Sequence, residues 1–189
     1  DPMGLPEAIF GPQSADPFAR RARIEAVSAG TSQIDLPGLE RIAHARPDWR
    51  LHVLGRMRSP DRALPPNLLL HGEVAYSEAL NRVRHADVGL APYPDRPGIE
   101  YQADNSNRLA LYRAAGLPIL GPARLCHPDR PSILDWTDPA ALDRAETWKP
   151  RPEELPRWAD LARSLVATPY EKRAEPAPRP SPDAVSVDQ

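Results

Sequence analysis

The 189-residue chain is 41% hydrophobic with a formal net charge of −2, enough apolar material for one core and no charge excess to attract a nucleic acid. No apolar run approaches the roughly 20 residues of a membrane span, and the single cysteine, Cys126, excludes a disulfide framework. No signal peptide precedes the first strand, so a reducing, cytoplasmic setting is expected.

The chain opens Asp1-Pro-Met-Gly-Leu-Pro, and residues 1–21 are expected to be a linker leading from a preceding N-terminal domain, making the chain a piece of a longer protein. Arg23-Ile-Glu-Ala-Val-Ser-Ala alternates with period two and predicts a strand running into the turn Gly30-Thr31-Ser32. Leu36, Leu39, Ile42 and Ala43 recur at helical spacing, predicting a helix over 36–45. Leu51–Gly55 and Asn67–Gly72 read as two further strands, and Leu80, Val83 and Arg84 mark one face of a helix over 76–85. Asp87–Pro92 is a fourth strand.

Next comes Tyr101-Gln-Ala-Asp-Asn-Ser-Asn-Arg-Leu-Ala-Leu-Tyr-Arg-Ala-Ala-Gly-Leu-Pro-Ile-Leu-Gly121. Asp104, Asn105 and Ser106 are all residues that cap a helix start, because their short oxygens accept from its free amides. Gly116 is placed to end that helix and Pro118 to prevent its continuation. Leu117–Gly121 is then a short buried strand, with helices expected over 140–147 and 153–167. From Glu171 to the end the chain has too few apolar residues to order itself, so 169–189 is expected to be a disordered tail.

Strands separated by helical segments of this length define the class as α/β, a Rossmann-like parallel sheet with helices on both faces, over residues 22–150. Such sheets bind ligands at the carboxyl ends of their strands near the topological switch point. That singles out the loops at Gly30–Ser32, His71–Glu73 and Pro92–Ser106, the last longer than the usual ~2–6 residues of a βα loop. Arg108, one turn inside a helix start, adds a guanidinium where amides and dipole already favour an anion, and phosphate is the natural ligand. Tyr93 and Tyr101 flank the long loop as candidate pocket walls. Leu109, Leu111, Tyr112 and Ala115 have the spacing of buried helix positions. The five histidines show no ligand spacing, and Cys126-His127 reads as neither a zinc site nor a nucleophile.

The strings Asn67-Leu-Leu-Leu-His-Gly-Glu-Val, His85-Ala-Asp-Val-Gly-Leu-Ala-Pro-Tyr93 and Tyr101-Gln-Ala-Asp-Asn-Ser-Asn-Arg-Leu-Ala-Leu-Tyr, followed by Gly-Leu-Pro, resemble the C-terminal half of GT-B glycosyltransferases. The likeness is greatest to the GumK-type glucuronosyltransferases of bacterial exopolysaccharide synthesis and covers about residues 23–148. It implies a donor-binding domain for a UDP-sugar, nominating Ser32, Glu73, Ser106, Asn107 and Arg108 as substrate-binding residues. Arg108 stands where that family has Lys, and Leu111 where it has Gln. Residues 151–168 resemble the terminal helix that crosses back over the interdomain cleft, whose Trp158 and Leu165 are expected to be exposed without the other half.

In the resulting expectation Arg108 stabilises the leaving diphosphate in an inverting transfer that needs no metal and no cofactor. The catalytic base and acceptor site belong to the absent N-terminal domain, which could also bring the enzyme to the inner face of a membrane. The acceptor is a saccharide or a lipid-linked one, with no nucleic-acid partner. A UDP-sugar epimerase-like domain and a catalytically inert, truncated relative serving as an interaction module are the competing readings.

Overall fold

The computed structural model describes residues 4–9, 11, 14–18, 21–30, 33–58 and 60–167. Six strands, β1 (Ile24–Ala29), β2 (Trp49–Leu54), β3 (Leu68–Gly72), β4 (Val88–Leu90), β5 (Ile119–Gly121) and β6 (Ile133–Asp135), form one sheet in the order β3-β2-β1-β4-β5-β6. Every neighbouring pair is parallel. The helices are α1 (Leu36–Ala45), α2 (Tyr76–His85), α3 (Gln102–Asn105), α4 (Asn107–Ala114), α5 (Pro139–Thr147) and α6 (Trp158–Ala167).

Both faces of the sheet are covered, so nearly every side chain of β1 and β2 is buried, the polar ones included. Ile24, Ala26, Leu51 and Val53 pack with Leu39 and Ile42 of α1 and Leu142 and Ala145 of α5. Across the sheet, Val27, Leu54 and Ile119 pack with Val83 of α2 and Leu109 and Tyr112 of α4. Chain direction across the sheet reverses between β1 and β4, so the switch point lies where their carboxyl ends part.

Capping explains the helix limits. The Asp35 carboxylate accepts from the Gly38 amide at 3.0 Å to start α1. At the far end of α4, Gly116 takes φ +66°, its amide bonding Arg113 O at 3.0 Å while the Leu117 amide bonds Tyr112 O at 3.0 Å. This double bond pattern around a left-handed residue is a Schellman stop, as the glycine's position led us to expect.

Several boundaries differ from expectation. The helix start expected among Asp104, Asn105 and Ser106 is two helices, α3 and α4, broken at Ser106, whose backbone is extended (φ −94°, ψ 119°) and which caps α4 alone. The last helix begins at Trp158 rather than at Glu153, because Pro152 and Pro156 keep the approach extended. That extended stretch has a partner: Leu5 and Arg157 form a parallel bridge, with Leu5 N on Pro156 O at 2.9 Å and Trp158 N on Leu5 O at 3.0 Å. The opening segment, read as a linker, is therefore packed at this point, and Leu5 is buried against Leu80 and Leu111. The three-residue strand β6 is an element beyond those expected. The expected tail 169–189 lies outside the described residues. Among the described residues no helix is long and apolar enough to cross a membrane.

Gly89 of β4 lets Tyr112 lie flat on the sheet: a Cβ there would sit 2.5 Å from the ring. Gly89→Ala must displace the ring, and we expect it to destabilise the fold by about 1–3 kcal/mol, read as a lowered urea midpoint.

Candidate functional site

A cavity of about 360 Å³ opens at the switch point, walled by the end of β1, the starts of α2 and α4, and the Gly4–Pro6 segment. One end is polar, with Gly30, Glu73, Asn107 and Arg108; the other is apolar, with Leu80, Val83, Leu111 and Trp158.

Arg108 is the organising side chain. It is only 6% exposed although charged. Its Nε donates to Ala29 O at 2.8 Å, and its guanidinium lies 5.0 Å from the centroid of the Tyr93 ring. A cation over an aromatic face is stabilised by about 0.5–2 kcal/mol, more as water is excluded. Gly30 is needed beside it on two counts. Its φ of +126° is closed to ordinary L-residues, and a Cβ would come within 2.9 Å of the guanidinium.

Tyr93 and Ser106 stand behind Arg108 rather than on the cavity wall. The Tyr93 hydroxyl bonds Ser106 Oγ at 2.6 Å, and that oxygen also accepts from the Leu109 amide at 3.3 Å, so the cap is itself held in place. One turn beyond Arg108, the hydroxyl of buried Tyr112 accepts from the Ala29 amide at 2.8 Å and donates to Leu90 O at 3.3 Å. Burial pushes its phenol well above the ordinary range.

Of the residues nominated from sequence, Glu73, Asn107 and Arg108 share the cavity. At the rim Glu73 pairs with Arg56 at 2.6 Å; both are largely exposed, so the pair contributes only ~0–1 kcal/mol. Tyr101 lies on an exposed turn away from the cavity, its carbonyl accepting from Asn105 Nδ2 at 3.0 Å. Ser32 lies outside the described residues, as does the side chain of Leu165. Trp158 is half-exposed, as expected, and also walls the cavity, its ring packed over Gly4. Tyr76 at the cavity mouth was not anticipated; nothing in its sequence setting marks it. Among the described residues no group of three His, Cys, Asp or Glu side chains is placed to hold a metal ion.

A second polar cluster threads the α2-side face of the sheet. His52 Nε2 meets the fully buried Glu25 Oε2 at 2.7 Å, and His52 Nδ1 meets His71 Nε2 at 2.8 Å. Burial, with Arg82 nearby, holds both imidazoles below their usual range, His71 at about 4. Neutral rings fit one donor order: His71 Nε2–H to His52 Nδ1, then His52 Nε2–H to the Glu25 carboxylate.

No protein-family model matches the chain. It is 26% identical over 154 residues to the UDP-glucuronate:glycolipid 2-beta-glucuronosyltransferase of Xanthomonas campestris pv. campestris, across 78% of this chain and 38% of that enzyme. Among solved structures it matches AviGT4, a glycosyltransferase involved in avilamycin A biosynthesis, with a TM-score of 0.50 and 18% identity over 87% of this chain. The match shows a shared fold, the Rossmann-like parallel α/β architecture described above. The chain spans 38% of the curated relative and 51% of the solved one, so it corresponds to part of each. The cavity sits at the carboxyl ends of the strands beside the β1–β4 switch point, where open α/β sheets take ligands.

The histidine cluster gives a pH prediction. A His held below its unfolded value of ~6.5 stabilises the fold fully above that pH and loses the contribution as pH falls through the folded value. The urea midpoint should therefore drop between pH 6.5 and about 4, and His71→Gln should flatten that drop. An unchanged slope in the variant would remove His71 from the acid response.

Proposed function

We propose that this chain is the donor-binding half of an inverting, metal-independent glycosyltransferase that takes a UDP-sugar, with glucuronate as the sugar. The acceptor in this reading is a polysaccharide or a lipid-linked saccharide. The observation that carries it is Arg108: a buried guanidinium at the capped start of α4, forming the polar end of the switch-point cavity. The name of the Xanthomonas relative supports the choice of UDP-glucuronate.

The chemistry follows from where charge grows. As the glycosidic bond to the diphosphate breaks, negative charge collects on the leaving oxygens, and fixed donors aimed there lower the barrier. The α4 dipole contributes about 0.3–1 kcal/mol, up to ~2 when partly buried, too little alone. A charge-assisted contact from Arg108 adds roughly 1.5–3 kcal/mol. Glu73 and Asn107 are assigned to the nucleoside and phosphate ends. The proton of the acceptor hydroxyl goes to a base outside these residues, on the half that carries the acceptor and any contact with a membrane.

Titration calorimetry with UDP tests this. Wild-type protein should bind UDP, Arg108→Ala should weaken binding at least tenfold, and Arg108→Lys should fall between, keeping the charge but losing the fork. No heat at millimolar UDP would sink the donor reading and put the interaction module in its place, the apolar end of the cavity then being its docking surface.

A further inference from the structure

The carboxyl ends of β1 and β4 come apart at a place where the backbone should still be paired. Their register runs Ala26 with Val88 and Val27 with Gly89. Continued by one rung, it would join the Ala29 amide to Leu90 O. Instead the Tyr112 hydroxyl stands between them, accepting from Ala29 N at 2.8 Å and donating to Leu90 O at 3.3 Å. The rung after that would bring the amide of residue 92 to Ala29 O. Residue 92 is proline and has no amide hydrogen. Arg108 Nε takes that carbonyl at 2.8 Å, while Pro92 turns away so that its own carbonyl accepts from the Asp35 amide at 2.6 Å.

Two side chains four residues apart on one face of α4 thus supply both hydrogen bonds that β4 withholds from Ala29. Neither bond is replaceable by water at low cost, since Tyr112 is fully buried and Arg108 nearly so. Ala29 is the last residue of β1, immediately before Gly30, which forms part of the cavity wall. Its carbonyl is the seat of the Arg108 guanidinium.

We propose that Tyr112 is a positioning residue for the donor cavity: its hydroxyl wedges the switch point open and fixes the Ala29 peptide on which Arg108 is aimed. The inference rests on the donor reading given above. Tyr112 touches no substrate and acts through Arg108. Removing its hydroxyl lets the two strands close toward a direct rung, or leaves the Ala29 amide without an acceptor; either way the carbonyl under Arg108 shifts.

The test compares UDP and uridine binding by calorimetry for wild type, Tyr112→Phe, Arg108→Ala and the double variant. Tyr112→Phe should weaken UDP about tenfold and change uridine less than twofold, because only the phosphate end depends on Arg108. Added to Arg108→Ala it should cost nothing further. Equal losses for UDP and uridine, additive losses in the double variant, or wild-type UDP affinity in Tyr112→Phe would each overturn the proposal. Should Tyr112→Phe not fold, hydrogen exchange on the wild-type chain decides. The Ala29 amide must be protected like that of Val27, and exchange a hundredfold faster would refute the bridge. Wild-type protein that takes up no UDP removes the donor reading and this inference together. UDP binding lost in Arg108→Ala but kept in Tyr112→Phe removes the inference alone.

Discussion

A parallel sheet that opens to admit a ligand must leave backbone groups at its mouth without ladder partners, and a buried peptide group cannot stay so. In this protein the whole arrangement of the mouth follows from how Ala29 is satisfied. Both of its polar atoms are served from α4, by Tyr112 and by Arg108. Because the helix that carries the cation also anchors the strand end, the cation and the Ala29 peptide are held as one unit. The Gly89 gap that admits the tyrosine ring and the Gly30 gap that admits the guanidinium are the steric counterparts of those bonds.

The cation itself is held on three sides: a carbonyl below, the Tyr93 face alongside, and the start of its own helix. Keeping a charged side chain this deep is unfavourable in a purely apolar wall. Its polar neighbours offset that burden, and they also leave the guanidinium with a defined direction. The opposite end of the cavity has no comparable polar furniture. Leu111 lies there and makes the wall apolar beside Leu80 and Trp158.

How much of this was legible in the sequence depended on range. The strands β1 and β2 are six-residue runs with apolar residues on both faces, and the alternation with helices announced a parallel sheet. The three-residue β6 lies between Ser132 and Trp136 just after proline-rich chain, too short to show any period. Arg108 and Asn107 could be placed at a pocket because helix starts and long loops follow local rules. Tyr101 belongs to the same loop yet faces outward, since the one-turn helix α3 intervenes and no local rule sets its direction. The Glu25–His52–His71 chain was invisible for a different reason. Its members are 27 and 19 residues apart, on three strands whose adjacency is known only once the sheet order is known. Tyr112 was recognisable as core, but the work of its hydroxyl depends on where β4 stops and on a proline two residues beyond Leu90.

The Leu5–Arg157 bridge ties together two stretches that lie more than 150 residues apart, directly beside the cavity. The ring of Trp158 rests on Gly4 with no room for a methyl group between them. Mechanically this is a clasp, closing the two stretches on each other at the edge of the apolar chamber. Because Leu5 also packs on Leu111, the clasp bears on the same helix that carries the guanidinium.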